Sequence, residues 1–427
     1  MINFEFFWRK TLNIYALIIL ITIIIGFVLD TISDILNLSY LGKPLPKEFE
    51  GVFDSEKYLK SQSYTRTQTY FGFITSTFDL VILLIFWFAG GFEWVNQLII
   101  PLSDSIIIRG LIFAAVLMLG NFVLGLPFGI YSTFVIEEKF GFNKTTVKTF
   151  ILDIIKSMAL SVVLGGLVLS LILYILMQTG SEAWLYGWIA VTIITLVIQF
   201  IAPTWIMPLF NKFKPLDDGE LKSAILDYAA SVKFALKNIF VMDGSKRSSK
   251  SNAFFTGFGK NKRIALFDTL IEKHTTSELV AVLAHEIGHY KKKHIITGMV
   301  ISILHFGLLF YLLSIFLNEK GLYDAFFMTS QPIYAGLVFF GMLYSPIEML
   351  LGIAMNILSR KNEFEADKFS GDTTGKPEEL CSALLKMSEH NLSNLNPHPF
   401  YVFVNYSHPP VLIRIQVLRR LLGSSIN

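Results

Sequence analysis

Residues 281–290 read AVLAHEIGHY, and from Lys291 to Leu317 the chain continues KKKHIITGMVISILHFGLLFYLLSIFL. His285 and His289 are four apart, so on a helix both imidazoles share one face, one turn apart, where a single metal ion can be held. The apolar run from Ile295 to Leu317 exceeds the roughly 20 residues that cross a hydrocarbon core. The histidine pair therefore leads directly into a membrane. The helix reading has support of its own. Thr275-x-x-Glu278 has the pattern of a capping box. Leu279, Val282, Leu283 and Ile287 give an apolar face. Lys291 to Lys293 complement the dipole at the C-terminal end. Glu286 stands beside the first histidine, where it can act as general base toward a water at the metal.

Six further apolar runs lie near 11–29, 69–92, 106–134, 152–178, 184–208 and 332–358, so seven spans are predicted. The first follows Arg9 and Lys10 but lacks a small-x-small cleavage pattern, and it reads as a retained span rather than a leader. Composition agrees: of 427 residues 53% are apolar and 16% charged, against about 25% charged in soluble proteins, and mean hydropathy is +0.55. A net charge of +3 is too small to suggest nucleic acid as a partner. Cys381 is the only cysteine, which excludes an intrachain disulfide and a cysteine zinc site. The expected partners are the bilayer and a peptide substrate; nothing in the sequence speaks to oligomeric state.

Basic residues set the orientation. Lys212, Lys214, Lys246, Arg247, Lys250, Lys260, Lys262, Arg263 and Lys291 to Lys293 put segment 209–294 on the cytoplasmic side. Seven spans then return the C-terminus, with Arg414, Arg419 and Arg420, to that side. The N-terminus falls opposite, where Arg9 and Lys10 run against the rule. The chain thus divides into spans one to five (1–208), a cytoplasmic region (209–294), spans six and seven (295–358) and a second cytoplasmic region (359–427). The fold class is mainly α, a polytopic membrane protein with a small β-sheet. Residues 221–236 have helical spacing, while 238–242, 252–257 and 263–267 read as strands around turns at Asp243-Gly244-Ser245 and Gly259-Lys260-Asn261.

A catalytic zinc keeps three protein ligands and an open position. After His289 the chain crosses the membrane twice and re-emerges on the same side at Ser359-Arg360-Lys361-Asn362-Glu363-Phe364-Glu365-Ala366-Asp367. Glu363 and Asp367 are four apart and share a helical face, an arrangement in which the glutamate ligates the metal and the aspartate orients a ligand histidine. Glu365 is turned about 200° from Glu363, and this reading gives it no part in the site. Asn121, Lys156, Glu348 and Asn356 lie inside apolar runs, where polar groups usually face a cavity or a partner.

At this point the sequence resembles the type I CAAX prenyl proteases. The likeness runs from about residue 65 to the end. It includes Glu137 to Thr146 (EEKFGFNKTT), Ile201 to Thr204, Pro208 to Phe213, Ser245 to Phe254, Lys262 to Leu270, the His285–His289 helix, Ser359 to Asp367 and Ser407-His408-Pro409-Pro410. The resemblance implies a ring of helices around an intramembrane chamber, one zinc ion per chain at its cytoplasmic end, and cleavage near the C-terminus of peptides, lipidated or otherwise membrane-associated. It also implies roles for single residues. Asn252 and Ala253 match an edge strand that pairs with substrate backbone. His408 matches a histidine that steadies the oxyanion or substrate carbonyl. Arg414 matches an arginine that either binds substrate carboxylate or pairs with an acidic side chain.

Lys250, where eukaryotic members carry histidine, and the short connection 318–331 point to a bacterial-type member. They favour a bacterial cytoplasmic membrane over the endoplasmic reticulum. The alternative function is an HtpX-type protease for membrane-protein quality control. A transporter would show its polar midplane residues in repeated halves, and none is visible.

Overall fold

The computed structural model describes residues 13–236, 238–256 and 263–424. Arg9, Lys10, Gly257 and Gly259 to Lys262, used in the sequence reading, lie outside the described residues. Among the described residues, seven helices are long and apolar enough to cross a membrane: Ile14–Ser39, Ser55–Phe88, Ile106–Phe140, Val147–Gln178, Gly180–Phe210, His294–Phe316 and Ile333–Thr374. They correspond to the seven apolar runs, but three extend well beyond them, the first running on to Ser39. The second begins at Ser55, where Asp54 caps it by accepting the Lys57 N–H. The seventh continues from the apolar run to Thr374 without a break. Hydropathy marks where a helix meets lipid, not where its hydrogen-bond ladder ends. At 42 residues the seventh helix is about 63 Å long, twice the hydrocarbon thickness. The expected boundary at 358/359 therefore falls inside a single rigid rod.

The spans close into a ring. The first packs on the second and the seventh, and the third to the seventh pack in chain order. Phe71 of the second stacks on Tyr131 of the third at 5.3 Å. One end of the ring is plugged by a core of Trp87, Phe92, Phe113, Phe326, Tyr334 and Phe339, with Leu173, Phe310 and Leu313. Away from this plug the ring buries almost nothing between its helices. The only buried residues of His294–Phe316 are Phe310 and Leu313, and those of Ala183–Ile201 are Ala183 and Gly187. A packed bundle would bury one face of every helix along its length, so this ring is hollow over its middle. Polar groups carried by the spans find partners. His305 Nε2 of the sixth span faces Glu348 Oε1 of the seventh at 3.2 Å. Lys156 donates to the Leu209 carbonyl at 2.8 Å, and Asn356 to the Val404 carbonyl at 2.8 Å.

At the other end lies a small sheet of four strands: β1 (Phe213–Pro215), β2 (Asn238–Met242), β3 (Ala253–Thr256) and β4 (Arg263–Phe267), in the order β1-β2-β4-β3. β2 and β4 are parallel, and β1 and β3 are antiparallel edge strands. β1 is absent from the sequence reading because three residues ending in proline carry no strand signal. The helix Thr276–Lys291 is clamped between two cores. On one side Leu279, Leu283 and Ile287 meet Ile239, Ile264 and Leu266 of the sheet. On the other, Ala281 and Val282 meet Leu380, Cys381, Leu384 and Ile415 from the helices Pro377–His390 and Val411–Ser424. Cys381 is a buried packing residue.

Candidate metal centre

The histidine helix starts where its sequence says it should. Thr275 Oγ1 accepts the Glu278 N–H at 3.2 Å, and Glu278 Oε2 accepts the Thr275 N–H at 2.9 Å. The same carboxylate accepts from Ser382 and from Lys386 Nζ at 2.7 Å, which ties the helix to its neighbour Pro377–His390. Burial opposes ionisation of Glu278, but Lys386, Ser382 and the Thr275 N–H together hold its carboxyl below the usual carboxylate range. We expect Glu278→Gln to cost about 1–2 kcal/mol, the size of a lost cap and a charged hydrogen bond. Because the folded pKa is depressed, the contribution is complete above the ordinary value of 4.5 and fades as pH falls through the lower folded value. The difference in unfolding temperature between the two proteins in detergent should be full at neutral pH and shrink below about pH 4. A pH-independent difference would show that the charge is not what holds the helix.

The seventh helix comes close to the histidine helix at Gly288. A Cβ there would stand 3.1 Å from Ala366 Cα and 3.2 Å from its carbonyl oxygen, so the glycine allows the approach. Ser370 Oγ adds a hydrogen bond to the Ala281 carbonyl at 2.8 Å. This contact brings Glu363 to the histidines. The two Nε2 atoms are 3.1 Å apart. Glu363 Oε1 lies 3.2 Å from His289 Nε2, and Oε2 lies 3.4 Å from His285 Nε2. Ligand atoms held about 2.0–2.1 Å from one tetrahedral ion stand about 3.3–3.4 Å apart, so the set fits a zinc-sized ion. Glu363 Oε2 is buried and makes no hydrogen bond, its contact with Arg414 Nη1 at 3.2 Å being an ion pair only, which leaves a lone pair for an ion. Glu286, Glu363 and Asp367 surround the site against one guanidinium, Arg414. Burial disfavours a charged His285 ring, yet the Asp367 and Glu363 carboxylates outweigh it and push the ring up to about 9. Burial also raises the Glu286 carboxyl.

Asp367 Oδ1 lies 2.8 Å from His285 Nδ1, as the i,i+4 spacing predicts. Arg414 lies against two acidic side chains. Its side chain is buried and forks onto Asp367, Nε to Oδ2 at 2.8 Å and Nη2 to Oδ1 at 2.6 Å, with Nη1 3.2 Å from Glu363 Oε2. His408 stands on the open side, its Nε2 3.3 Å from Glu363 Oε1 and its side chain 63% exposed. Asn252 immediately precedes β3, and Ala253 opens it, on the sheet edge nearest the histidine helix. One neighbour escaped the sequence reading. His294 Nδ1 lies 3.0 Å from His289 Nδ1, and its Nε2 lies 3.2 Å from Glu365 Oε2. Glu286, His289, His294, Ile295, Ser359 and Asn362 line a cavity of about 310 Å³. At Ile295 it meets a second cavity, about 520 Å³, between the fifth and sixth spans, lined by Thr192, Thr195, Gln199, Gly298, Ser302 and Phe306.

Comparison with known proteins covers nearly the whole chain. Residues 34–212 match the family described as CAAX prenyl protease N-terminal, five membrane helices, and residues 215–422 match Peptidase family M48. The CAAX prenyl protease 1 homolog of Arabidopsis thaliana is 39% identical over 408 residues, covering 92% of this chain and 95% of the relative. CAAX prenyl protease 1 of Saccharomyces cerevisiae is 36% identical, covering 88% of each chain, and the Homo sapiens homolog is 34% identical, covering 88% and 89%. The crystal structure of S. mikatae Ste24p superposes with a TM-score of 0.88 at 36% identity, over 96% of this chain and 99% of that one.

Proposed function

The chain belongs to the CAAX prenyl protease family of M48 peptidases and is an integral-membrane metalloendopeptidase; on that premise we propose that its metal is zinc, one per chain, held by His285, His289 and Glu363. The observation that carries this is the convergence of two imidazole Nε2 atoms and one carboxylate within 4.8 Å of one another. Zinc bound there would supply a Lewis acid for the scissile carbonyl and lower the pKa of a bound water.

The remaining steps fall to the chain itself. Glu286, beside the first ligand and with its carboxyl raised by burial, takes the proton of the attacking water and returns it to the leaving amine. Asp367 accepts the His285 Nδ1–H and presents Nε2 to the metal. Arg414 is taken up by Asp367 and Glu363, so we assign it to bracing these carboxylates rather than to substrate. With Ser407 Oγ 3.0 Å from its Nδ1, His408 can carry its proton on Nε2 and donate it to the substrate carbonyl oxygen. β3 offers a free edge for the substrate backbone, starting at Asn252 and Ala253.

We assign a peptide C-terminal segment, lipidated or membrane-associated, as the substrate. The cavity between the fifth and sixth spans, which shares Ile295 with the cavity at the metal site and is also lined by Leu196, Ile198, Met299 and Ile303, suits a lipid chain. The HtpX-type alternative is not favoured, because the five-helix N-terminal region matches as well. We assign the site to the cytoplasmic face, on the basic residues of 209–294. Lys250 and the short 318–331 connection favour a bacterial membrane, although the relatives compared above are eukaryotic. A test is cleavage of matched peptides with and without a C-terminal isoprenyl cysteine, before and after chelation. Cleavage should need the metal, return with added zinc, and be faster for the lipidated peptide by tenfold or more, about 1.4 kcal/mol. Equal rates on both peptides would remove the lipid from the proposal.

A further inference from the structure

We propose that His294 is a positioning residue for the metal centre: it accepts the Nδ1–H of His289, relays that bond to Glu365, and so fixes His289 as an Nε2 ligand. The inference rests on the metal reading above and goes beyond it, because neither His294 nor Glu365 belongs to the ligand set.

The proton assignment follows from geometry alone. His289 Nε2 faces Glu363 and His285, so the metal-facing nitrogen must be unprotonated and the ring proton must sit on Nδ1. Among the described residues, the hydrogen-bond partner of His289 Nδ1 is another imidazole nitrogen, His294 Nδ1, 3.0 Å away, which must then be the acceptor. The proton of His294 is left on Nε2, which faces Glu365 Oε2 at 3.2 Å. Each nitrogen has one role and no proton is left over. The other ligand is held by the same logic with one link fewer, His285 Nδ1 to Asp367 Oδ1 at 2.8 Å. Metal-bound histidines nearly always give their second N–H to an acceptor, and here a carboxylate serves one ligand directly and the other through an imidazole.

The backbone is arranged to make the relay. On an uninterrupted helix His294, five residues after His289, would be turned about 140° from it. Instead the histidine helix ends at Lys291, and Lys293 adopts a left-handed conformation (φ 63°) before the sixth span begins at His294. A non-glycine residue there costs about 1 kcal/mol, and the turn returns the His294 ring to His289, with 8% of its side chain exposed. Glu365 comes from the seventh helix, on the side away from Glu363 and Asp367. The same rod thus braces both histidines, one from each flank.

The test is zinc affinity of the purified full-length protein by chelator competition, with the visible spectrum of the cobalt-loaded form as a report on ligand geometry. His294→Leu should bind zinc about 10- to 100-fold more weakly and shift the cobalt bands. His294→Asn, whose amide oxygen replaces Nδ1 as acceptor, should restore both to near wild type. Glu365→Leu, at a carboxylate that is 41% exposed, should fall between them. It carries the test if His294→Leu does not fold. Wild-type affinity and spectrum in folded His294→Leu, or in Glu365→Leu if only that variant folds, would overturn this inference alone. Wild-type protein that holds no zinc would overturn the metal reading and the relay with it.

Discussion

Glu286→Gln should keep its zinc in full and lose peptide hydrolysis by about 100- to 10,000-fold, the range that a general base contributes. The side chain lies on the histidine helix beside His285 and lines the cavity of the site, but it is outside the convergent ligand set. The amide has the shape of the carboxylate and cannot take a proton. A structural role would predict the opposite pattern, in which metal or folding is lost along with activity. Zinc content and turnover measured on one preparation separate the two. Turnover near wild type would remove Glu286 from the chemistry, and loss of zinc would move it into the ligand set.

Glu363→Ala should lose both metal and activity. Structural zinc sites with four ligands bind with about 10–16 kcal/mol, or about 3 kcal/mol for each ligand, so the affinity should fall roughly 100- to 1,000-fold. A second effect adds to the loss. Arg414 Nη1, 3.2 Å from Glu363 Oε2 in a buried setting, would keep its charge and lose one of two partners, a change that destabilises buried ion pairs. Lower thermal stability should therefore accompany the lost affinity. Asp367→Asn keeps the three ligands and should weaken zinc by about 10- to 100-fold. If Glu363→Ala holds zinc as tightly as wild type, the third ligand is elsewhere.

The site was legible where its signal is local. The i,i+4 spacing of His285 and His289, the Thr275–Glu278 box and the i,i+4 pair Glu363–Asp367 are patterns of one helix each, and the structure reproduces their geometry. The seven spans were legible because hydropathy over 20 residues leaves few alternatives. Features that depend on contacts between distant segments were less so. Arg414 lies 47 residues from Asp367, and its fork onto that carboxylate has no pattern in either segment. His294 was hidden by a backbone break at Lys293, a residue type that gives no warning of a left-handed turn. The helical projection measures the direction of Glu365 only against Glu363. Glu365 does point away from Glu363, but toward a residue that a helical projection places elsewhere. The length of the seventh helix was missed because its last turns are polar and read as a separate soluble segment.

The most direct measurement is an anomalous difference map at the zinc absorption edge from crystals of the full chain purified without chelator. The account predicts one strong peak per chain, between His285 Nε2, His289 Nε2 and the Glu363 carboxylate, which vanishes in data collected just below the edge. A map with no peak there after the protein has been given zinc, or with the ion held instead by His294 and Glu365, would contradict it.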